Sequence, residues 1–134
     1  MIAVAIAAAA ALGAPFAWAQ SPPPAKVTQI FQEALVEFPG KEVRAFLVEF
    51  PPGGASVPHH HPGAILAYVL KGAWTMQMQG VPEVSLREGQ VAYEHSGMPH
   101  LVSKNASATE PLKLLVFYIS DPGAAVSVPM QKKH

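Results

Sequence analysis

Eight short apolar stretches with a period of two, each closed by a turn signal, leave this chain few ways to fold. They read "VTQIFQEALVEF", "VRAFLVEF", "AILAYVL", "AWTMQMQ", "EVSLRE", "QVAYEH", "HLVS" and "LKLLVFYIS". Each is rich in β-branched or aromatic residues. Between them stand Gly, Pro or Asn breakers such as "PGK", "PPGG", "QGVP", "SGMP" and "DPG". Short strands punctuated in this way predict an all-β sandwich or barrel. One stretch, "TQIFQEALVEF", competes as a helix, since Ile30, Phe31, Leu35 and Phe38 roughly trace a helical stripe; strand or irregular structure is the preferred reading. The final "SVPMQKKH" reads as a frayed tail.

The first residues stand apart from this pattern. "MIAVAIAAAAALGAPFAWAQ" is an apolar run closing on Ala17 and Ala19 around Trp18, a small-x-small cleavage pattern. It reads as a secretory signal cut before Gln20, although no Lys or Arg precedes the apolar core. The run from Ile2 to Leu12 is too short to span a bilayer, which favours cleavage over an anchor. A periplasmic or secreted location follows. The expected layout is a signal peptide at 1–19, a Pro-rich linker at 20–26, one β domain at 27–122 and a C-terminal tail at 123–134.

Nine basic and nine acidic residues cancel without clustering, so nothing marks a nucleic-acid partner, or a membrane partner after cleavage. The absence of Cys excludes thiol nucleophiles and thiolate-held zinc. Any metal must therefore be held by N and O donors. Three of the six histidines are consecutive, in "GGASVPHHHPGAILAYVLKG". On an extended backbone, alternate side chains share a face, so His59 and His61 point together with Cα atoms about 6.5–7 Å apart. Two imidazoles so placed can converge on an ion at about 2.0–2.2 Å. His60 faces the other way. A third imidazole, His100, begins a strand after the turn in "LREGQVAYEHSGMPHLVSKN" and can lie opposite the pair in a closed β fold.

These two stretches resemble the cupin family, over most of the mature chain. The family's first motif, G-x5-H-x-H followed by an acidic residue and a Gly, is matched by Gly53, His59, His61 and Gly72. Its second motif, G-x5-P-x-G-x2-H-x3-N, is matched by Gly89, Gly97 and His100, with His95 where Pro is usual and Asn105 one position late. The resemblance implies a double-stranded β-helix, or jelly-roll barrel, at 27–122, with a metal in the barrel mouth and a homodimer. The family's acidic ligand falls at Ile65, which cannot coordinate, so the implied set is His59, His61 and His100 alone. Some cupin metalloenzymes work with three His ligands. Three neutral imidazoles leave a divalent ion its full charge, which favours an anionic ligand and weakens retention.

Glu49 and Glu94 are the candidate replacement carboxylates, but neither has the spacing of a ligand slot; Glu94 fits better as a partner that orients an imidazole. His95 is either a rim acid–base group or a polar turn residue, with the turn preferred. Tyr68, Trp74, Met76, Met78, Tyr93, Phe117 and Tyr118 are assigned to core or pocket lining, with the inward set left open. Met76 and Met78 are read as packing rather than a copper site. Ser96, Ser103 and Ser107 have no triad-like context. The expected protein is thus an exported small cupin holding Fe, Mn, Ni, Cu or Zn and open to a small molecule. Its chemistry is either dioxygenase-type or that of an isomerase or hydrolase. The alternative is a non-catalytic ligand-binding module, for which Ile65 speaks.

Overall fold

The computed structural model describes residues 19–131. The leader's Met1–Trp18 and the terminal His134 lie outside the described residues. Ten strands run in order: β1 (Lys26–Ala34), β2 (Glu42–Phe50), β3 (His59–His60), β4 (Ala64–Lys71), β5 (Ala73–Met78), β6 (Val84–Arg87), β7 (Val91–Glu94), β8 (His100–Asn105), β9 (Leu112–Ser120) and β10 (Val128–Pro129). They form two five-stranded sheets, ordered β1-β2-β9-β4-β7 and β10-β3-β8-β5-β6. Every pairing is antiparallel. This is the all-β double-stranded β-helix that the turn spacing and the motifs predict.

The stretch that competed as a helix is a strand. β1 pairs with β2 from Lys26↔Glu49 to Ala34↔Glu42, with an irregularity between Gln29 and Phe31. It is exposed along its whole length, with Phe31 half exposed. A bulged edge strand has no buried face to impose strict alternation, which is why its pattern was ambiguous.

Inside, alternation fixes the core. β4 turns Ile65, Ala67 and Val69 inward, β5 turns Trp74, Met76 and Met78, and β9 turns Leu112, Leu114, Val116 and Tyr118. Of the aromatic residues assigned to core or pocket, Trp74 and Tyr118 are buried, whereas Tyr68, Tyr93 and Phe117 face outward. Met76 and Met78 pack in the core.

Both ends of the described chain are part of this fold. The "linker" packs on it: Ala25 lies against the core cluster, and the Ala55 amide donates to the Pro23 carbonyl at 3.1 Å. The tail is held rather than frayed up to Pro129. β10 pairs with β3, the Tyr118 hydroxyl donates to the Ala125 carbonyl at 2.8 Å, and Arg44 donates to the Ala124 carbonyl.

Candidate metal centre

The local fold delivers the three imidazoles to one point between the sheets. His59 lies on β3 and pairs directly with His100 at the start of β8. His61 follows β3 in the loop that enters β4. That loop is pinned by Gly63, whose amide donates to the Tyr118 hydroxyl at 2.9 Å. A Cβ at Gly63 would sit 2.3 Å from the Ile119 carbonyl oxygen, so only glycine lets the loop approach β9 this closely. His59, His61 and His100 are all buried, each offering a ring nitrogen within 4.8 Å of the others. His60 is only half-buried and opposite Val128, and His95 is exposed, edge-on to Tyr93 with ring centroids 4.5 Å apart.

Hydrogen bonds fix which nitrogens face the centre. His59 Nδ1 donates to the Val57 carbonyl at 2.7 Å, and His61 Nδ1 donates to the Val126 carbonyl. A carbonyl oxygen only accepts, so both rings carry hydrogen on Nδ1 and present Nε2. The two Nε2 atoms stand 3.1 Å apart. Two lone pairs at that distance repel unless a cation, a proton or a metal ion, lies between them. Behind His100, Trp74 stacks edge-on at 5.9 Å and anchors its indole N–H on Ser103 Oγ at 3.0 Å.

A carboxylate completes the cluster. Glu94, at the end of β7, is 3% exposed, and its Oε2 lies 3.1 Å from both His61 Nε2 and His100 Nδ1. The contacts are close but misdirected: Glu94 Oε2 and both ring nitrogens of His100 have no aligned hydrogen-bond partner. Buried polar atoms are normally satisfied, and these orphans converge on one another. Donors at about 2.1 Å from a shared ion lie about 3.0–3.4 Å apart along the edges of an octahedron or tetrahedron. The 3.1 Å separations from His59 to His61, from His61 to Glu94 and from Glu94 to His100 match such edges. The donor set therefore fits a divalent ion that takes N and O ligands.

The charges agree. Burial pushes Glu94 upward, but the nearby His100 and His61 more than offset it and hold the carboxyl at about 2. Burial lowers His59, whereas for His61 the adjacent Glu94 outweighs burial and raises it. Ile65, in the motif's acidic slot, carries no ligand atom, and its direct cross-strand partner is Glu94. Motif spacing could not reveal this, because it counts along one strand and the carboxylate arrives from the next. The alternation of β7, with Ala92 and Glu94 inward, was the available signal. Glu49, the other carboxylate considered, pairs instead with Lys113 at 3.1 Å on the surface.

The cluster lines a cavity of about 370 Å³. Phe46, Phe50, Ile65, Trp74, Leu114 and Val116 supply much of its apolar wall, and Pro22, Pro24, Val126 and Ser127 bring both ends of the domain to it. Among the described residues no Lys, Arg, Asp or Tyr lines it, and the titratable side chains there are His59, His61, Glu94 and His100. Asn105, the late asparagine of the second motif, is not part of the cavity: it donates to the Pro51 and Glu110 carbonyls at 3.1 and 2.7 Å and secures loops.

Comparison with known proteins agrees with this architecture. No curated protein matches the chain. Among solved structures, the DMSP lyase DddQ from Ruegeria pomeroyi is 27% identical, with a TM-score of 0.58, covering 66% of this chain and 43% of the lyase. This chain thus spans less than half of that enzyme. The TT1209 protein from Thermus thermophilus is 28% identical, with a TM-score of 0.59 and coverage of 74% and 86%. A double-stranded β-helix protein from Klebsiella pneumoniae is 18% identical, with a TM-score of 0.62 and coverage of 84% and 90%, which speaks to fold alone. A family profile described as "Cupin domain" matches residues 46–118, more than half of the chain and all three clustered histidines, and with the barrel around them it makes this protein a member of the cupin family.

Proposed function

We propose that this protein is an exported metalloenzyme that holds a divalent ion, one of Fe, Mn, Ni, Cu or Zn, through His59, His61 and His100 and acts on a small molecule in the adjoining cavity. The observation that carries this reading is the convergence of three buried imidazoles, two of them with Nδ1 tied to a carbonyl and Nε2 turned to the centre. A bound ion supplies Lewis-acid polarisation of a substrate oxygen, or electron transfer where it is redox-active. Oxygenation would follow from a redox-active ion, and isomerisation or hydrolysis from a redox-silent one.

The protein's own residues define the rest. Val57 and Val126 carbonyls orient the imidazoles, and the apolar wall excludes water and receives the body of the substrate. Among the described residues no Lys or Arg is in the lining to hold a remote carboxylate or phosphate. The substrate class is therefore a compact, largely apolar molecule with an oxygen donor at one end. Among the described residues the titratable lining groups all belong to the cluster, so proton transfer would use them. The partial likeness to a DMSP lyase supports small-molecule chemistry.

Elemental analysis of the purified protein beside His100→Ala tests the reading. Near-stoichiometric metal in the parent that is lost in the variant is expected. Absence of metal in both, after reconstitution with each of the five ions, would leave a metal-free binding module. Export rests on the leader, and N-terminal sequencing of protein from a periplasmic fraction should begin at Gln20. Homodimerisation is supported by the outer face of the first sheet, where Tyr93, Leu66 and Phe117 form one exposed cross-strand row and Val91 and Tyr68 begin another. Sedimentation velocity that gave only monomer would remove that part of the proposal.

A further inference from the structure

We infer that Glu94 is itself a ligand of the ion, delivered from β7 to the coordination position that the first motif would have filled from residue 65 on β4. The inference rests on the metalloprotein reading above and adds a donor to it. Ile65 and Glu94 face each other across an antiparallel ladder, and both line the cavity. Directly opposed residues have Cβ atoms about 4.5–5.5 Å apart and project to the same side. A carboxylate on either strand can thus reach one point, and moving it across the ladder preserves the donor while changing its place in the sequence.

Three further observations bear on a ligand role rather than a purely orienting one. The same oxygen, Oε2, stands 3.1 Å from two different imidazoles and is aligned with neither. An orienting carboxylate would sit on the N–H axis of the ring it holds, as the Val57 carbonyl does for His59. Next, the carboxylate is buried in a cavity that, among the described residues, no Lys or Arg lines. Burying an anion without a compensating cation is costly, and an ion at the cluster is the cation this position faces. Finally, the donors come from both sheets, His59 and His100 from the second and Glu94 from the first, so they surround the centre.

The consequence for the substrate is specific. Three imidazoles and a carboxylate leave a divalent ion a net single positive charge instead of two. The open positions then suit a neutral oxygen donor or a single anionic oxygen, and the pull toward multiply charged anions expected of a three-histidine site is removed.

Titration with Co(II) tests this, because both affinity and the visible ligand-field spectrum are read without any activity. Four proteins are compared: the parent, Glu94→Ala, Glu94→Gln and the exchange Ile65→Glu/Glu94→Ile, each first shown to be folded by circular dichroism. Glu94→Ala should weaken Co(II) by about 100-fold or more and change the spectrum, with Glu94→Gln also shifted. The exchange should recover affinity to within about tenfold of the parent and restore the parent's bands. An unchanged spectrum in Glu94→Ala, even with weaker binding, would make Glu94 a positioning residue and overturn the inference while leaving the three-histidine site intact. A parent that binds no Co(II) would instead remove the metalloprotein reading together with this one.

Discussion

Two imidazole nitrogens, His59 Nε2 and His61 Nε2, share a 3.1 Å gap with their opposite nitrogens already committed to carbonyls. In the metal-free protein the neighbouring Glu94 raises the affinity of His61 for a proton. A metal needs both Nε2 lone pairs free, so its binding should release protons increasingly as pH falls. Calorimetry in buffers of different ionisation enthalpy would count them, and apparent affinity should fall by about tenfold per pH unit for each proton displaced as pH drops. No buffer dependence would contradict this picture. The metal-free fold has its own acid limit. The Glu94 carboxyl lies below its ordinary 4.5, at about 2, so its contribution to stability is present above 4.5 and lost as pH falls from there toward 2. Around 6.5 the two histidines oppose each other, since lowered His59 loses stability on acidification and raised His61 gains it. Thermal melts of metal-free protein should therefore change most in the acid window, and a Glu94→Gln protein should lose that slope. At this scale, the histidines were legible because His-x-His spacing fixes a common face. The carboxylate was not, because its neighbour is set by a ladder between strands.

The short elements carry as much of the site as the long ones. β3 and β10 have two residues each; the extended backbone at His59–His61 was expected, but β10 was read as frayed tail, because a two-residue ladder leaves no periodicity to read. Their partners decide them: β3 is held by His100 on one side and by Val128 and Pro129 on the other. The eight longer stretches were visible as runs of alternating burial, but β1 kept its ambiguity because its edge position buries neither face. Gly63 belongs to this level. Its added Cβ would meet the Ile119 carbonyl oxygen at 2.3 Å and the Ser120 Cβ at 2.7 Å, backbone and near-backbone atoms that cannot swing aside. Gly63→Ala should therefore cost about 1–3 kcal/mol in a denaturant melt. Because the loop carries His61 two residues earlier, the same variant should also weaken metal binding. A melt and a metal titration matching the parent would show that the loop can yield.

Across the whole molecule, the cluster stands where the two sheets meet. His59 and His100 are on the second sheet, and His61 and Glu94 belong to the approach to β4 and the end of β7 on the first. An ion bound there would tie the sheets together, so only the assembled barrel offers the full donor set. Binding to the folded form alone adds about 2.7 kcal/mol of stability at a hundredfold excess over Kd. Scanning calorimetry should show a higher, metal-dependent melting temperature that a chelator reverses; equal melting with and without metal would argue against a site spanning both sheets. That closure was implied by the two motifs, since each supplies histidines from a separate segment. The part that Pro22, Pro24, Val126 and Ser127 play in the cavity was not, because they come from stretches whose composition reads as linker and tail.

Pro22 and Pro24 from one end of the domain and Val126 and Ser127 from the other line the same cavity. Purification handles are ordinarily fused at such ends on the assumption that they hang clear. Here a handle joined close to either segment would crowd the cavity, and a histidine-rich one would bring competing imidazoles near the donors. A cleavable handle, set well beyond these residues and removed before metal is measured, avoids both effects.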